Sequence, residues 1–389
     1  MKEQPAGPRP HEHAPASRTG LRCLVPAVLL PVVLAFILCT CTSLHDVHEA
    51  PVLVQAQRWP QAEEAFRRDR HWLGGDGAYS VVLSPDRVLW LFGDSFIGTG
   101  TSRNRRDAAI VRNTVAIQTG TDPSAASLSF HWRAREGRPD AFFPSRGEIW
   151  RWPGSGILIE GKLLVFFMEI SSEQGGLGFA PSGWGAVLVS NPGDDPAAWV
   201  VTELDVPANR FGVLVGSACC LVQGGHLYAY GADARDHGAY LVRFRLGDAA
   251  RGDLRSPEWW TGRGGWLAQD RLTARPEPLF GDAQMEYTVH YEPSLGRYIE
   301  VQTAGFVDPC LTLRSAAEPT GAWSPKRGFY CQTGTEGLLV YAGKAHPGLK
   351  GGDLVCTMAL NTLDEKRLLE DDSLYYPVFV RGTYRRHGK

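Results

Sequence analysis

The sequence predicts an all-β chain, a five-bladed β-propeller closed by an N-terminal strand, on three observations. An apolar run, a polar turn and a second apolar run recur five times, the second runs starting at 88, 163, 227, 298 and 354. Each such pair is followed by a third apolar run, and self-similarity at this period marks radially repeated architectures. No long amphipathic helical pattern breaks the series, which argues against a doubly wound α/β fold. The 12 Trp, 44 Gly and 26 Pro of the 389-residue chain fit a turn-rich, aromatic β protein. A β-sandwich is the alternative architecture, but it does not require a repeat of this period.

The elements follow in order. The turns are Pro85-Asp86-Arg87, Glu160-Gly161-Lys162, Gly224-Gly225-His226, Leu295-Gly296-Arg297 and Gly351-Gly352-Asp353. The runs after them read VLWLFGD (88–94), LLVFFME (163–169), LYAYGAD (227–233), YIEVQTA (298–304) and LVCTMALN (354–361). Turn residues between such runs are the hairpin signal. Third strands are expected at 113–120, 184–191, 239–247, 311–316 and 375–384. Outer fourth strands are expected at 129–134, 199–206, 265–272 and 327–332. The fifth unit has none after its third strand, and PVLVQAQ (51–57) supplies it from the N-terminal side.

The first 50 residues stand apart. A basic, Pro-rich leader (Lys2, Arg9, Arg18, Arg22) precedes the uninterrupted apolar run LVPAVLLPVVLAFIL, 24–38. That order is expected of a signal peptide or a signal anchor, with Pro26, Pro31 and the modest length favouring the former. LCTC (38–41) resembles a bacterial lipoprotein box with Cys41 as the lipidated residue, although Thr40 stands where a smaller residue is usual. The remainder, 51–389, is read as one extracytoplasmic domain, secreted or attached to a membrane through the N-terminal segment. An exported chain permits disulfides, and Cys310 and Cys331 flank the fourth unit's third strand closely enough to pair. The net charge of −2 argues against nucleic acid as a partner. There is no C-x-x-C, and His11, His13, His45 and His48 fall in the leader, so no metal site is expected.

Hairpin geometry then gathers polar residues. In an antiparallel pair, the start of the first strand and the end of the second lie at the same end. With first strands lining a central channel, Asp76 and Asp94 face one mouth. By the same rule Trp152 and Glu169, Ser217 and Asp233, Glu286, and His346 and Asn361 join them, and the third-strand starts add Arg112 and Asn113. An acid pointing into a channel is costly unless something satisfies it. Two or more carboxylates around a cleft suit glycoside hydrolysis, in which one protonates the leaving oxygen and another attacks or activates water. Asp76, Asp94 and Glu286 are the candidate catalytic residues. Arg112, Asn113, Trp152, His346 and Asn361 are the candidate substrate-binding residues. Trp184 is either a second sugar platform or a core residue. No G-x-S-x-G, P-loop or H-E-x-x-H occurs. No cofactor is implied, though an axial calcium ion is compatible with such a channel.

WLGGDGAYSVVLSPDRVLWLFGDSFIG (72–98), then RNTVAIQTG (112–120), resembles the first blade of a bacterial five-bladed propeller family long described as a domain of unknown function. EPTGAWS (318–324), YAGKAHPGL (341–349) and Asn361 resemble its later blades. The family is allied to endo-D-arabinanases and, more distantly, to the arabinanase and levansucrase clan of glycoside hydrolases. The resemblance implies Asp76 as base or nucleophile and a later-blade Glu as acid. The clan carries that Glu in its third blade, where this chain reads VLVGSACCLV (213–222). Glu286, in the fourth, is the candidate, with Asp94 as its alternative. The function expected is an exported hydrolase of a polysaccharide or oligosaccharide, and a furanosidic substrate is what the resemblance implies. A non-catalytic carbohydrate-binding or cell-surface interaction propeller is the alternative.

Overall fold

The computed structural model describes residues 53–100 and 103–384. The leader, with the signal reading, Cys41 and its four histidines, lies outside the described residues. Among the described residues no helix is long and apolar enough to cross a membrane.

Strands form five antiparallel sheets of four or five strands, in chain order. The first sheet comprises Tyr79–Ser84, Arg87–Phe92, Thr114–Thr119 and Ser127–His131; the second, Trp150–Ile159, Lys162–Ser172, Phe179–Val189 and Val201–Glu203. The third comprises Leu214–Gln223, His226–Asp233, Gly238–Arg245, Glu258–Trp260 and Trp266–Ala268. The fourth comprises Thr288–Glu292, Arg297–Thr303, Cys310–Ala316 and Arg327–Cys331. In the fifth, Leu339–Ala345, Leu354–Asn361 and Pro377–Tyr384 are completed by Leu53–Arg58, which pairs with the last strand. The N-terminal segment therefore closes the fifth sheet as expected. The third sheet departs from expectation: its fourth strand is Glu258–Trp260, and the 265–272 segment supplies only a short fifth.

The second strands read as continuous apolar runs because both of their faces are covered. Val88, Leu89, Trp90, Leu91 and Phe92 are all fully buried. Val88, Trp90 and Phe92 pack toward the fifth sheet, with Val355 and Phe379, while Leu89 and Leu91 pack toward the second, with Val165 and Phe167. Like apolar layers lie between the second and third, third and fourth, and fourth and fifth sheets. First strands touch their neighbours through short bonds: Ser155 Oγ donates to the Gly216 carbonyl at 2.8 Å, and the Ala345 amide to Thr288 Oγ1 at 2.7 Å. Ser80 Oγ and His346 Nδ1, 2.7 Å apart, join the first sheet to the fifth. The second hairpin turns on Glu160 and Gly161, both at positive φ (49° and 78°), the two-residue turn whose twist matches that of the strands. Cys310 and Cys331 form the expected disulfide, leaving Cys219, Cys220 and Cys356 as free thiols.

Two small sheets were not foreseen, one of them the pair Arg133–Arg135 and Arg138–Asp140. Trp72–Gly75, Ser95–Gly98 and Ala108–Val111 form a small three-stranded sheet beyond the first hairpin. The hairpin chains run on into it, and Asp76 and Asp94 stand at the joint.

Candidate active site

At that joint the two chains stay in contact: the Gly93 amide donates to the Asp76 carbonyl at 3.0 Å. Gly74 has φ of 123°, and a Cβ there would lie 2.4 Å from the Tyr375 carbonyl oxygen. The glycines of GGDG thus admit the close crossing of the 371–376 segment, which the Gly75 amide secures by donating to Tyr375 O at 2.9 Å.

That crossing brings a phenol to Asp76. Tyr341, in the first half of the fifth sheet's first strand, donates to Asp76 Oδ2 at 2.7 Å, and Tyr375 donates to the same oxygen at 3.3 Å. Asn361 Nδ2 in turn donates to the Tyr341 oxygen at 3.1 Å. Burial, then the negative charges of Asp94 and Glu286, push Asp76 up to about 8, against the Tyr341 bond and the Lys344 charge. The carboxyl is therefore mostly protonated at neutral pH. Asp94 accepts from Arg112 Nη1 at 3.1 Å and from Trp152 Nε1 at 2.8 Å. Its pKa is also raised, because burial outweighs those two partners. Glu286 lies 3.1 Å from the ammonium of Lys344, a fully buried side chain that also donates to the carbonyls of Gly77 and Ala342. Burial pulls the Lys344 pKa down, and Glu286 opposes the shift.

Asp76, Asp94, Glu286, Trp152, Asn361, Tyr341 and Tyr375 line one cleft of about 410 Å³. All three candidate catalytic acids, and two of the five candidate binding residues, therefore meet. Arg112 borders the group through its ion pair with Asp94 and stacks on Trp150 at 4.3 Å. Glu169 pairs with Arg146, and Asp233 with Arg235 and Arg275; neither lines the cleft. Ser217 is buried and uses its carbonyl to accept from Tyr79. Trp184 is a core residue against Phe166.

Two binding candidates are corrected. Asn113 is fully buried, donates to the Phe143 and Arg151 carbonyls at 2.9 and 3.0 Å, and accepts from the Phe143 amide. It staples the first sheet to the second, with no atom left for a ligand. His346 is buried at the opposite end of its strand, because that strand is Leu339–Ala345 and His346 follows its last residue. Its ring nitrogens meet Ser80 and Thr357, and burial pushes it down to about 3, so it is neutral. The mouth position belongs to Tyr341, whose signal was available: it lies in the first half of the strand Leu339–Ala345, at the end opposite His346, as Glu286 stands just before its own. Lys344 and Tyr375 were also missed. Tyr375 opens the third strand expected at 375–384, so the rule that gathered Arg112 and Asn113 also reaches it; the strand itself begins at Pro377.

No cluster of three or more His, Cys, Asp or Glu side chains among the described residues is arranged to hold a metal ion. The three carboxylates are engaged by phenols, by Arg112 and Trp152, and by Lys344, so they offer the axial calcium ion no ready ligand set.

A family model described as a domain of unknown function, DUF5005, matches residues 61–383. No curated protein matches the sequence. A Bacteroides ovatus structure described as a candidate hydrolase is similar over 84% of this chain and 90% of its own, with TM-score 0.69 and 14% identity. That likeness is one of fold. An arabinoxylan arabinofuranohydrolase of glycoside hydrolase family 43 from Bacillus subtilis, solved with cellotetraose, has TM-score 0.48 and 12% identity, over 84% of this chain and 68% of its own. An exo-β-1,3-galactanase from Phanerochaete chrysosporium, solved with β-1,3-galactotriose, has TM-score 0.47 and 11% identity, over 80% of this chain and 63% of its own.

Proposed function

This chain belongs to the DUF5005 family, and we propose that it is a glycoside hydrolase acting on a polysaccharide or oligosaccharide. The observation that carries the reading is the meeting of three carboxyl groups, drawn from one hairpin and a distant sheet, in one aromatic-walled cleft. One of them holds its proton at neutral pH. Unequal protonation of neighbouring acids is what divides acid and base roles between them.

In this mechanism Asp76 is the general acid. Its Oδ2 accepts the two phenols, so its proton sits on Oδ1 and passes to the leaving glycosidic oxygen. Asp94, whose carboxyl group accepts from Arg112 and the Trp152 indole, attacks the anomeric carbon or takes a proton from water in its ionised form. Glu286 acts by charge: paired with Lys344, it helps to keep the proton on Asp76. This assignment exchanges the role that the family resemblance implied for Asp76. Trp152 is the sugar platform, and Asn361 orients substrate and the Tyr341 phenol together.

The five sheets are read as the blades of a closed five-bladed propeller, supported by an apolar layer between each adjoining pair, the fifth and first included. An extracytoplasmic location, with export or membrane attachment through 24–38, belongs to the same proposal, as does the furanosidic substrate. The carbohydrate-binding alternative is favoured by one observation, the arginine that holds Asp94; among the described residues no arginine pairs with Asp76. Digestion of a glycan panel decides between them. The wild type is expected to release new reducing ends, and Asp76→Asn and Asp94→Asn to lose at least about 10³-fold in kcat while retaining the wild-type circular dichroism spectrum. Equal digestion by wild type and Asp76→Asn, or none by the wild type, rejects the reading.

A further inference from the structure

The cleft is polar at its floor and apolar at its rim. Of the large apolar side chains exposed among the described residues, Leu177 (51%), Phe306 (45%) and Leu363 (73%) border this opening. Val307 (66%) lines the groove that continues from it past Leu339 and Leu363. These residues come from loops of the second, fourth and fifth sheets, so no single apolar segment explains their meeting. Thr335, Glu336, Thr362 and Asp364 line the same groove, so the apolar side chains have a polar margin, and exposed apolar side chains clustered within a polar rim mark a binding site. Its chemistry is unlike that of a sugar subsite. Phe306 is its one aromatic ring; Leu177, Val307 and Leu363 are branched aliphatics, which offer no ring face to stack on a pyranose or furanose and no hydrogen bond to a hydroxyl. The charge balance limits the ligand further. Three acids and, among the described residues, no Lys, Arg or His line the cleft; Arg112 and Lys344 are spent on Asp94 and Glu286, so the cleft offers an anionic glycan no free cationic partner.

We propose that the rim takes an alkyl or acyl group carried by the substrate, so that the enzyme acts on a neutral glycoside bearing an apolar substituent beside the scissile bond. This rests on the glycosidase reading and narrows it. The sugar reaches the acids at the floor, and the chain of the substituent leaves along Leu363, Leu339 and Val307.

The test uses matched methyl and octyl arabinofuranosides, galactopyranosides and glucopyranosides, below the micellar concentration, with binding and turnover measured separately. The octyl member of at least one pair is expected to bind about tenfold or more tighter than its methyl partner. The Leu177→Ser/Leu363→Ser double variant, changed at exposed positions, is expected to lose that preference. Val222→Ser, at an exposed position away from the cleft, keeps it. The inference is overturned if no octyl glycoside binds better than its methyl partner, or if the preference survives in the double variant. Turnover is the separate readout: preferential octyl binding without hydrolysis by the wild type removes the glycosidase reading and leaves the apolar subsite standing.

Discussion

The Asp76 proton has consequences that can be measured. With its pKa raised to about 8, the acid form is lost as the pH rises through that value, so activity is expected to fall on the alkaline side. The neighbours should move this limb in opposite directions. Tyr341 stabilises the carboxylate by donating to it, so Tyr341→Phe raises the Asp76 pKa and shifts the limb to higher pH. Glu286 repels the carboxylate, so Glu286→Gln shifts it to lower pH. A pH–kcat/KM series over the two variants checks both signs, and shifts in one common direction would refute the assignment. The same proton affects stability. The folded pKa lies above the unfolded value, so below about 4 both states hold the proton and nothing is lost. As pH rises from there to about 8, the unfolded chain releases its proton while the folded one keeps it, and stability declines. Asp76→Asn removes this penalty. It is expected to be more stable than wild type by roughly 1–3 kcal/mol at pH 8 and about equal at pH 4, as read by denaturant melts.

At the scale of elements, the joint between the first hairpin and the small sheet is held from behind by one side chain. Arg105 is buried and donates to the carbonyls of Leu73, Leu368, Asp371 and Leu374. It thereby fixes the 371–376 segment against Gly74 and Gly75 and sets the position of Tyr375, whose φ of 64° is unusual for a residue with a Cβ. Arg105→Met leaves those carbonyls without donors and is expected to cost about 2–4 kcal/mol. Because Arg105 acts through Tyr375, its effect on kcat should not add to that of Tyr375→Phe. A double-mutant cycle in kcat, measured well below the melting temperature, tests this, and additive losses would refute the coupling. The hairpins themselves were legible in the sequence because turn residues punctuate long apolar runs. The small sheet was not: WLGG, SFIG and AAIV are four-residue strands, two of them containing glycine, too short to show a period. His346 was misplaced for a related reason. Gly351-Gly352-Asp353 was read as a tight turn, but the connection runs from His346 to Asp353, between strands Leu339–Ala345 and Leu354–Asn361, so the mouth end lies further upstream, at Tyr341.

For the molecule as a whole, the candidate site depends on sheets far apart in sequence coming together. Asp76 meets Tyr341 across 265 residues, and Lys344 meets Glu286 across 58. Asp76, Asp94 and Glu286 were legible because one rule, strand starts at one mouth, was applied to every hairpin; the same rule also gathered Glu169 and Asp233, which pair with arginines and do not line the cleft. The bonds that tune them were not, since phenol, ammonium and carboxylate partners are decided by side-chain packing. The convergence holds only if the fifth sheet is anchored against the first, and the N-terminal strand has a part in this. Leu53–Arg58 pairs with residues 380–384, and the Trp59 amide donates to Phe379 O at 2.7 Å just beyond it. Gln55, Gln57 and Arg58 are exposed, so these residues contribute through the ladder of hydrogen bonds more than through buried area. Each such bond is worth about 1 kcal/mol net, so its loss should remove roughly 3 kcal/mol from a total that is seldom above about 15. It would also bare Pro377–Tyr384 as an open edge, a template for association. A chain lacking residues 1–50 is expected to melt as the full domain does. One lacking 1–58 is expected to melt several degrees lower and to form oligomers on a sizing column. If the shorter chain instead stays monomeric with an unchanged melting temperature, the N-terminal strand is dispensable and the fold is held together without it.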